Sequence, residues 1–155
     1  MDATELSQYS AQHNPWHAAM YNGATAQSPA AGGFVVVNMD TVEFDPSNMC
    51  TLGAAAKITI QQDGVYLICG AVTLNSVPDG QRASVAIYLN AAELVRGLDY
   101  TVGAVAAQAT YSVWTTIYLK TTQFVDLRVQ NITNAQAVHP AINSIYLAVA
   151  YLGVA

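Results

Sequence analysis

Lys57-Ile58-Thr59-Ile60-Gln61-Gln62-Asp63-Gly64-Val65-Tyr66-Leu67-Ile68-Cys69-Gly70-Ala71-Val72 contains both patterns on which the fold class turns. Its first four residues alternate polar and apolar, Asp63-Gly64 signals a turn, and from Val65 every position is apolar or small. Alternation at period two marks a strand with one covered face; a short run apolar at both parities marks a strand with two. Both patterns recur. Residues 82–90 place Ala83, Val85, Ile87 and Leu89 on one side. Residues 111–120 set Tyr111, Val113, Thr115, Ile117 and Leu119 against Ser112, Trp114, Thr116, Tyr118 and Lys120, and 124–131 set Val125, Leu127 and Val129 against Asp126, Arg128 and Gln130. Ile145-Tyr146-Leu147-Ala148-Val149-Ala150-Tyr151-Leu152 is again apolar on both sides, and shorter runs at 34–37 and 41–44 complete the series. No segment holds a sustained helical stripe; the Ala-rich stretches 91–98 and 102–109 permit a helical turn at most. Many short strands separated by turn signals such as Asp45-Pro46 and Pro78-Asp79-Gly80 predict an all-β sandwich or barrel.

In a two-layer sandwich one face of each strand meets the other sheet. The second apolar face of 65–72 and 145–152 then needs its own cover: a loop, the N-terminal arm, or copies of the same chain. Tyr66, Ile68, Val72, Tyr146, Leu147, Val149 and Tyr151 are the residues expected to form the core and the contact between copies.

Composition bears on partners. The 155 residues are 53% hydrophobic and 10% charged, where an ordinary monomer has about a quarter charged. Five Lys+Arg against ten Asp+Glu exclude the clustered cations that bind nucleic-acid phosphates or an anionic membrane. The opening Met1-Asp2-Ala3-Thr4-Glu5 is unlike a secretory leader, and the apolar run 145–155 is about half a bilayer span, so a soluble chain not secreted by a cleaved leader is expected. Residues 1–33, rich in Gln, Ser, Asn, Ala and Gly, read as an extended arm ahead of a domain at 34–155. Within the arm, Trp16 and Tyr21 either anchor it to a partner or pack on their own domain.

The stretch 57–68 resembles a signature of C1q/TNF-like jelly rolls. Gly80-Gln81-Arg82, Ile87-Tyr88-Leu89-Asn90, Phe124-Val125-Asp126-Leu127-Arg128-Val129-Gln130-Asn131 and Ser144-Ile145-Tyr146-Leu147 continue the resemblance in order, and Thr41-Val42-Glu43-Phe44-Asp45 resembles an early strand of that family. The likeness spans about 34–153. Asn90-Ala91 stands where the family often has Asn-Gly, and Thr122-Gln123 where it often has Gly-Asp; both exchanges bear on turns, because Ala and Thr resist the positive φ that Gly tolerates. The resemblance implies a ten-stranded jelly roll assembled as a trimer about a three-fold axis. With Asn48-Met49-Cys50 ahead of the Lys57 strand and a polar arm in place of collagen, it is similar to the C1q-like domains of bacteriophage structural proteins.

No catalytic group is predicted. His13 and His17 fall in the arm and His139 in the loop before the last strand, with no nucleophile or orienting carboxylate set against them. The i, i+4 spacing of His13 and His17 lacks a metal-ligand context, and Asp40, Asp45, Asp79 and Asp99 are expected as turn carboxylates rather than calcium ligands. Cys50 and Cys69 are too few for a disulfide framework. No cofactor is expected. The expected function is a non-enzymatic virion protein, made in the host cytoplasm and carried on the virion surface, that decorates and cements a phage capsid as a homotrimer, with the major capsid protein or another virion protein as partner. The alternative is a tail-fibre or receptor-binding adhesin using the loops 74–81, 94–105 and 131–143.

Overall fold

A computed structural model describes residues 15–25, 27–29, 32–77, 82–97, 100–101, 107–131 and 145–154. Twelve strands occur among them: β1 His17–Tyr21, β2 Val35–Val36, β3 Thr41–Phe44, β4 Cys50–Thr51, β5 Lys57–Thr59, β6 Gly64–Val77, β7 Arg82–Leu89, β8 Ala92–Arg96, β9 Tyr100–Thr101, β10 Ala107–Leu119, β11 Phe124–Asn131 and β12 Ile145–Gly153. They form two antiparallel sheets. One has five strands in the order β10-β6-β12-β1-β3; the other runs β4-β5-β11-β7-β8, with the two-residue β2 and β9 added against β11 and β7. Apart from the hairpins β4-β5 and β7-β8, neighbours along each sheet are non-consecutive in sequence, which is the Greek-key crossing of a jelly roll. The all-β sandwich expected from the alternation is observed, and its strand order is the jelly roll that the resemblance implies.

The core lies between the sheets. From the five-stranded sheet it takes Met20, Tyr66, Ile68, Val72, Leu74, Ile145 and Leu147; from the other it takes Ile58, Val85, Ile87, Val125, Leu127 and Val129. The parities read from 82–90 and 124–131 therefore point inward as expected. Their outward faces are less exposed than alternation predicts: Ser84, Ala86 and Asp126 are buried too. Asp126 is covered by Arg128, whose guanidinium grips its carboxylate at 2.6 and 3.1 Å while lying 4.0 Å over the Tyr88 ring.

The boundary expected at residue 33 does not hold for His17–Tyr21. This segment is an interior strand of the five-stranded sheet, paired antiparallel with β12 on one side and β3 on the other. Its Ala18 and Met20 enter the core, and the backbone bonding of two neighbours outweighs its weak strand propensity. A cradle at its end fixes the chain's exit: the Asp40 carboxylate accepts hydrogen bonds from the backbone N–H of Gly23, Ala24 and Thr25 and from the Thr41 hydroxyl. Burial pushes the Asp40 pKa up, but these bonds outweigh it and hold the carboxyl well below its ordinary value.

Two turns keep the shape expected of glycine without having it. Asn90 and Ala91 adopt φ of 49° and 67° between β7 and β8, the two-residue hairpin geometry that matches strand twist, and Thr122 sits at 75° before β11. The Asn90 side chain accepts the Phe124 N–H at 3.0 Å, tying this hairpin to β11.

Candidate functional site

The expected contact residues divide between two faces. Tyr66, Ile68, Val72, Leu147 and Val149 point between the sheets and are core residues of the single chain. Tyr151, beside a register shift in β12, also turns to the core and meets the Tyr66 ring edge-on at 5.3 Å. Tyr66 donates its hydroxyl to Gln62 O at 2.8 Å. Of the seven, Tyr146 alone stands on the outer face of the five-stranded sheet, at a cross-strand position with Ala71 and Tyr21.

Strand register builds that outer face row by row. One row runs Ser112, Ala71, Tyr146, Tyr21; the next runs Trp114, Cys69, Ala148, Ala19, Phe44; the third runs Thr116, Leu67, Ala150, His17. Tyr118 and Val65 begin a fourth. Among the described residues of these five strands, Glu43 in the edge strand β3 is the sole Asp, Glu, Lys or Arg. Trp114 is 71% exposed, Leu152 58% and Tyr118 46%. Trp114 and Tyr118, large apolar side chains standing in water together on one face, mark an interaction surface rather than random exposure.

The face is not flat. Between the His17 and Phe44 rings, which stack at 4.2 Å, and the alanines Ala19, Ala148 and Ala150 lies a trough of about 360 Å³. It exists because three neighbouring positions carry only a methyl group. At the opposite edge, β10 has no strand partner beyond β6 among the described residues, and Trp114 stands out from it. The two sheets close on each other there at Gly97, where a Cβ would lie 2.5 Å from Ser112 O, so only glycine permits the approach.

The opposite sheet has the reverse character. Lys57 lies over the Phe124 ring at 4.7 Å, Arg96 over Phe34 at 4.8 Å and Arg128 over Tyr88 at 4.0 Å, and Arg96 also pairs with Glu93 at 2.8 Å. These three cations are therefore engaged by rings and carboxylates of their own chain.

Of the arm residues, Trp16 is half-buried and packs on the core, and its carbonyl accepts the Tyr151 N–H at 3.2 Å; Tyr21 lies half-buried in β1. Trp16 thus contributes to the packing of its own domain. No group of three or more His, Cys, Asp or Glu able to hold a metal ion occurs among the described residues. Asp45 instead accepts the Met49 and Cys50 N–H groups, each at 2.7 Å, and Asp63 accepts the N–H and hydroxyl of Thr121. Burial, then the neighbouring Asp45 charge, pushes the Cys50 thiol up to about 12, and burial raises that of Cys69. Neither is a nucleophile's setting. His13, His139, Ser144, Asp79 and Asp99, and most of the loops 74–81, 94–105 and 131–143, lie outside the described residues.

A jelly roll with one charge-poor outer face defines the class of protein. No family model matches the chain, and no curated protein matches it. Solved structures do. An Eiger TNF from S. frugiperda superimposes with a TM-score of 0.71 at 12% identity, over 92% of this chain and 96% of that one. Murine APRIL gives 0.64 at 12% identity over 88% and 98%, and the globular domain of zebrafish complement 1qA gives 0.61 at 10% identity over 90% and 99%. At such identities the likeness is one of fold: the chain is a C1q/TNF-like jelly roll.

Proposed function

We propose that the protein is a non-enzymatic structural component that assembles as a homotrimer through the outer face of its five-stranded sheet, and that the trimer decorates and cements a bacteriophage head. The observation that carries the assembly is the outer face itself, with one charged residue across five strands and Trp114, Tyr118 and Leu152 in water. A further copy of the chain is an apolar partner always present at equal concentration. The low overall charge of the chain, 10%, follows if much of its surface is hidden in this way.

The finer step rests on geometry and on the sequence resemblance to phage C1q-like domains. A three-fold protein fits the local three-fold positions of a closed shell, and a trimer bridging adjacent capsomers adds binding free energy that exists only in the assembled particle. The protein would then be made in the host cytoplasm and reside on the virion surface. Sedimentation of the purified chain tests the first step: a folded monomer at micromolar concentration overturns it. Heating particles with and without the protein tests the second, since equal disruption temperatures exclude cementing. Binding of the purified trimer to host cells, with particle stability unchanged, would move the function to the receptor-binding class.

A further inference from the structure

We infer that Asn22-Gly23 is a covalent modification site guarded by folding: an unfolded chain loses the Asn22 amide through a cyclic imide, the folded chain keeps it, and a chain that has lost it cannot rebuild this corner. It is the one Asn-Gly pair in the sequence. The reaction needs only the chain and water. The Gly23 backbone nitrogen attacks Cγ of Asn22, and the bond from Cγ to Nδ2 breaks. The proton of the Gly23 N–H passes through solvent to the departing Nδ2, which leaves as ammonia and closes a five-membered imide. Water then opens the imide at either carbonyl, giving aspartate or isoaspartate. Glycine is the residue that permits the attack most readily, because no side chain shields its nitrogen.

The fold holds both reacting groups off this path. The Gly23 N–H is donated to Asp40 Oδ1 at 2.7 Å, which turns the nitrogen toward that carboxylate. Asn22 Nδ2 donates to Thr25 O at 2.8 Å and to Asn38 O at 2.7 Å, and the Asn22 N–H donates to Ile145 O at 3.3 Å. Asn22 is fully buried, so the water that carries the proton and opens the ring is kept out. The same contacts reject the product. An oxygen in place of Nδ2 would stand against two carbonyl oxygens that have lost their donor. The other amide oxygen, Oδ1, is already buried without a hydrogen-bond partner, and the N–H groups of Gly23, Ala24 and Thr25 are spent on Asp40. Aspartate at this position is therefore a buried charge with no donor, beside a second carboxylate. Isoaspartate instead adds an atom to the main chain between the bonds to Ile145 and Asp40 and puts them out of step. All of this holds within a single chain, whether or not copies assemble.

Incubating the full-length chain at mildly alkaline pH with its thiols reduced, once native and once in guanidinium chloride, tests the guard. Peptide mass mapping should show Asn22 converting ahead of every other asparagine in the unfolded chain. In the folded protein its conversion should be slower by about 1,000-fold or more, the smallest ratio of folded to unfolded chain that ordinary domains maintain. Faster loss at another asparagine, or a smaller ratio, overturns it. Refolding tests the rejection. Chains aged in guanidinium chloride and then diluted should fail to recover native circular dichroism in step with the conversion of Asn22. Gly23→Ala places a methyl group beside the attacking nitrogen, and in the fold that Cβ meets the Tyr21 ring first, at 3.1 Å, so this variant should still refold after the same ageing. Equal loss of refolding in both proteins puts the damage elsewhere and overturns the rejection. If Gly23→Ala does not fold, Asn22→Asp decides: it should be unfolded at neutral pH and regain structure as pH falls, because burial raises the carboxyl pKa and the protonated group can donate to Thr25 O or Asn38 O. An Asn22→Asp protein as stable as wild type at neutral pH overturns the rejection.

Discussion

Leu147 and Ala148 are neighbours in β12 and face opposite ways, so the same substitution at each should produce opposite failures. Leu147 is fully buried between the sheets. Leu147→Asp removes a leucine side chain, about 2–5 kcal/mol for a cavity of that kind, and sets an unpaired carboxylate in the core at a further cost of several kcal/mol. The sum rivals the whole stability of a small domain, about 5–15 kcal/mol. Ala148 instead faces outward between Cys69 and Ala19. In a single chain Ala148→Asp should cost within about 1 kcal/mol, as surface changes do, but in an assembly it would strip water from a carboxylate at every contact. A penalty of about 3 kcal/mol per contact weakens association by roughly 100-fold. Circular dichroism and sedimentation velocity on the two purified variants should therefore show unfolded or aggregated material for Leu147→Asp, and a native-like monomer for Ala148→Asp. A folded Leu147→Asp protein would refute the inward assignment of the odd positions of β12. An Ala148→Asp protein as strongly associated as wild type would refute the sheet face as the contact.

Ala91→Gly should raise the midpoint of urea unfolding by about 1 kcal/mol equivalent, because Ala91 holds φ of 67°, a left-handed conformation that costs an L-residue about 1–2 kcal/mol; no gain would mean that the hairpin is not of this type. Asp40 has a lowered folded pKa, so its stabilisation is complete above the ordinary carboxylate value of 3.8 and is lost as pH falls through the folded value. Asp40→Asn should accordingly be less stable at neutral pH and show a shallower acid limb, measured by thermal melts from pH 7 downward; an unchanged limb would refute the cradle. Tyr66 runs the other way: burial, then the neighbouring Tyr151, raises its hydroxyl from 10.0 to about 12, so its contribution is whole below 10.0 and lost as pH climbs toward 12. Tyr66→Phe should lose about 1 kcal/mol at neutral pH with the Gln62 hydrogen bond, and lose less than wild type on titration to alkaline pH.

How legible each strand is from sequence depends on the contrast between its two faces. Residues 41–44, 57–60, 82–90 and 124–131 alternate strong hydrophobes with polar residues, and they form β3, β5, β7 and β11 within a residue or so of the expected bounds. β1 escapes because it is only five residues long and Ala19 breaks the polar alternation of His17 and Tyr21; tertiary pairing with β12 and β3 makes it a strand. Ala92-Glu93-Leu94-Val95-Arg96 reads as weakly helical for a related reason, yet the turn at Asn90-Ala91 commits it to pair with β7. The doubly apolar strands announce a second covered face but not which parity is core. Both sides of β6 carry large residues, so size decides only in part: Tyr66, Ile68, Val72 and Leu74 go inward with Gly70, while Val65, Leu67, Cys69 and Ala71 face out. Gly70 confirms the side, since a Cβ there would lie 2.7 Å from the Leu127 side chain of the other sheet. Trp114 carried the one signal that sequence reasoning passed over. It stands on the polar side of the clearest alternating strand in the chain, among Ser112, Thr116 and Tyr118.

The fold also turns a composition into a polarity. Few charges in 155 residues could have been spread evenly, leaving a weakly polar surface all round. Instead Lys57, Arg96 and Arg128 lie on the strands of the seven-stranded sheet, each held over an aromatic ring, and the five-stranded sheet has only Glu43 at its edge. The two sheets therefore have different solvents available to them. One can stay in water on its own, because its cations and rings cover each other. The other keeps Trp114, Tyr118 and Leu152 in water until something apolar arrives. Copies that meet through the second sheet leave the first outside. Under the proposed assembly, a further partner would meet the cation–ring ladder of the other sheet and not the face that the copies share.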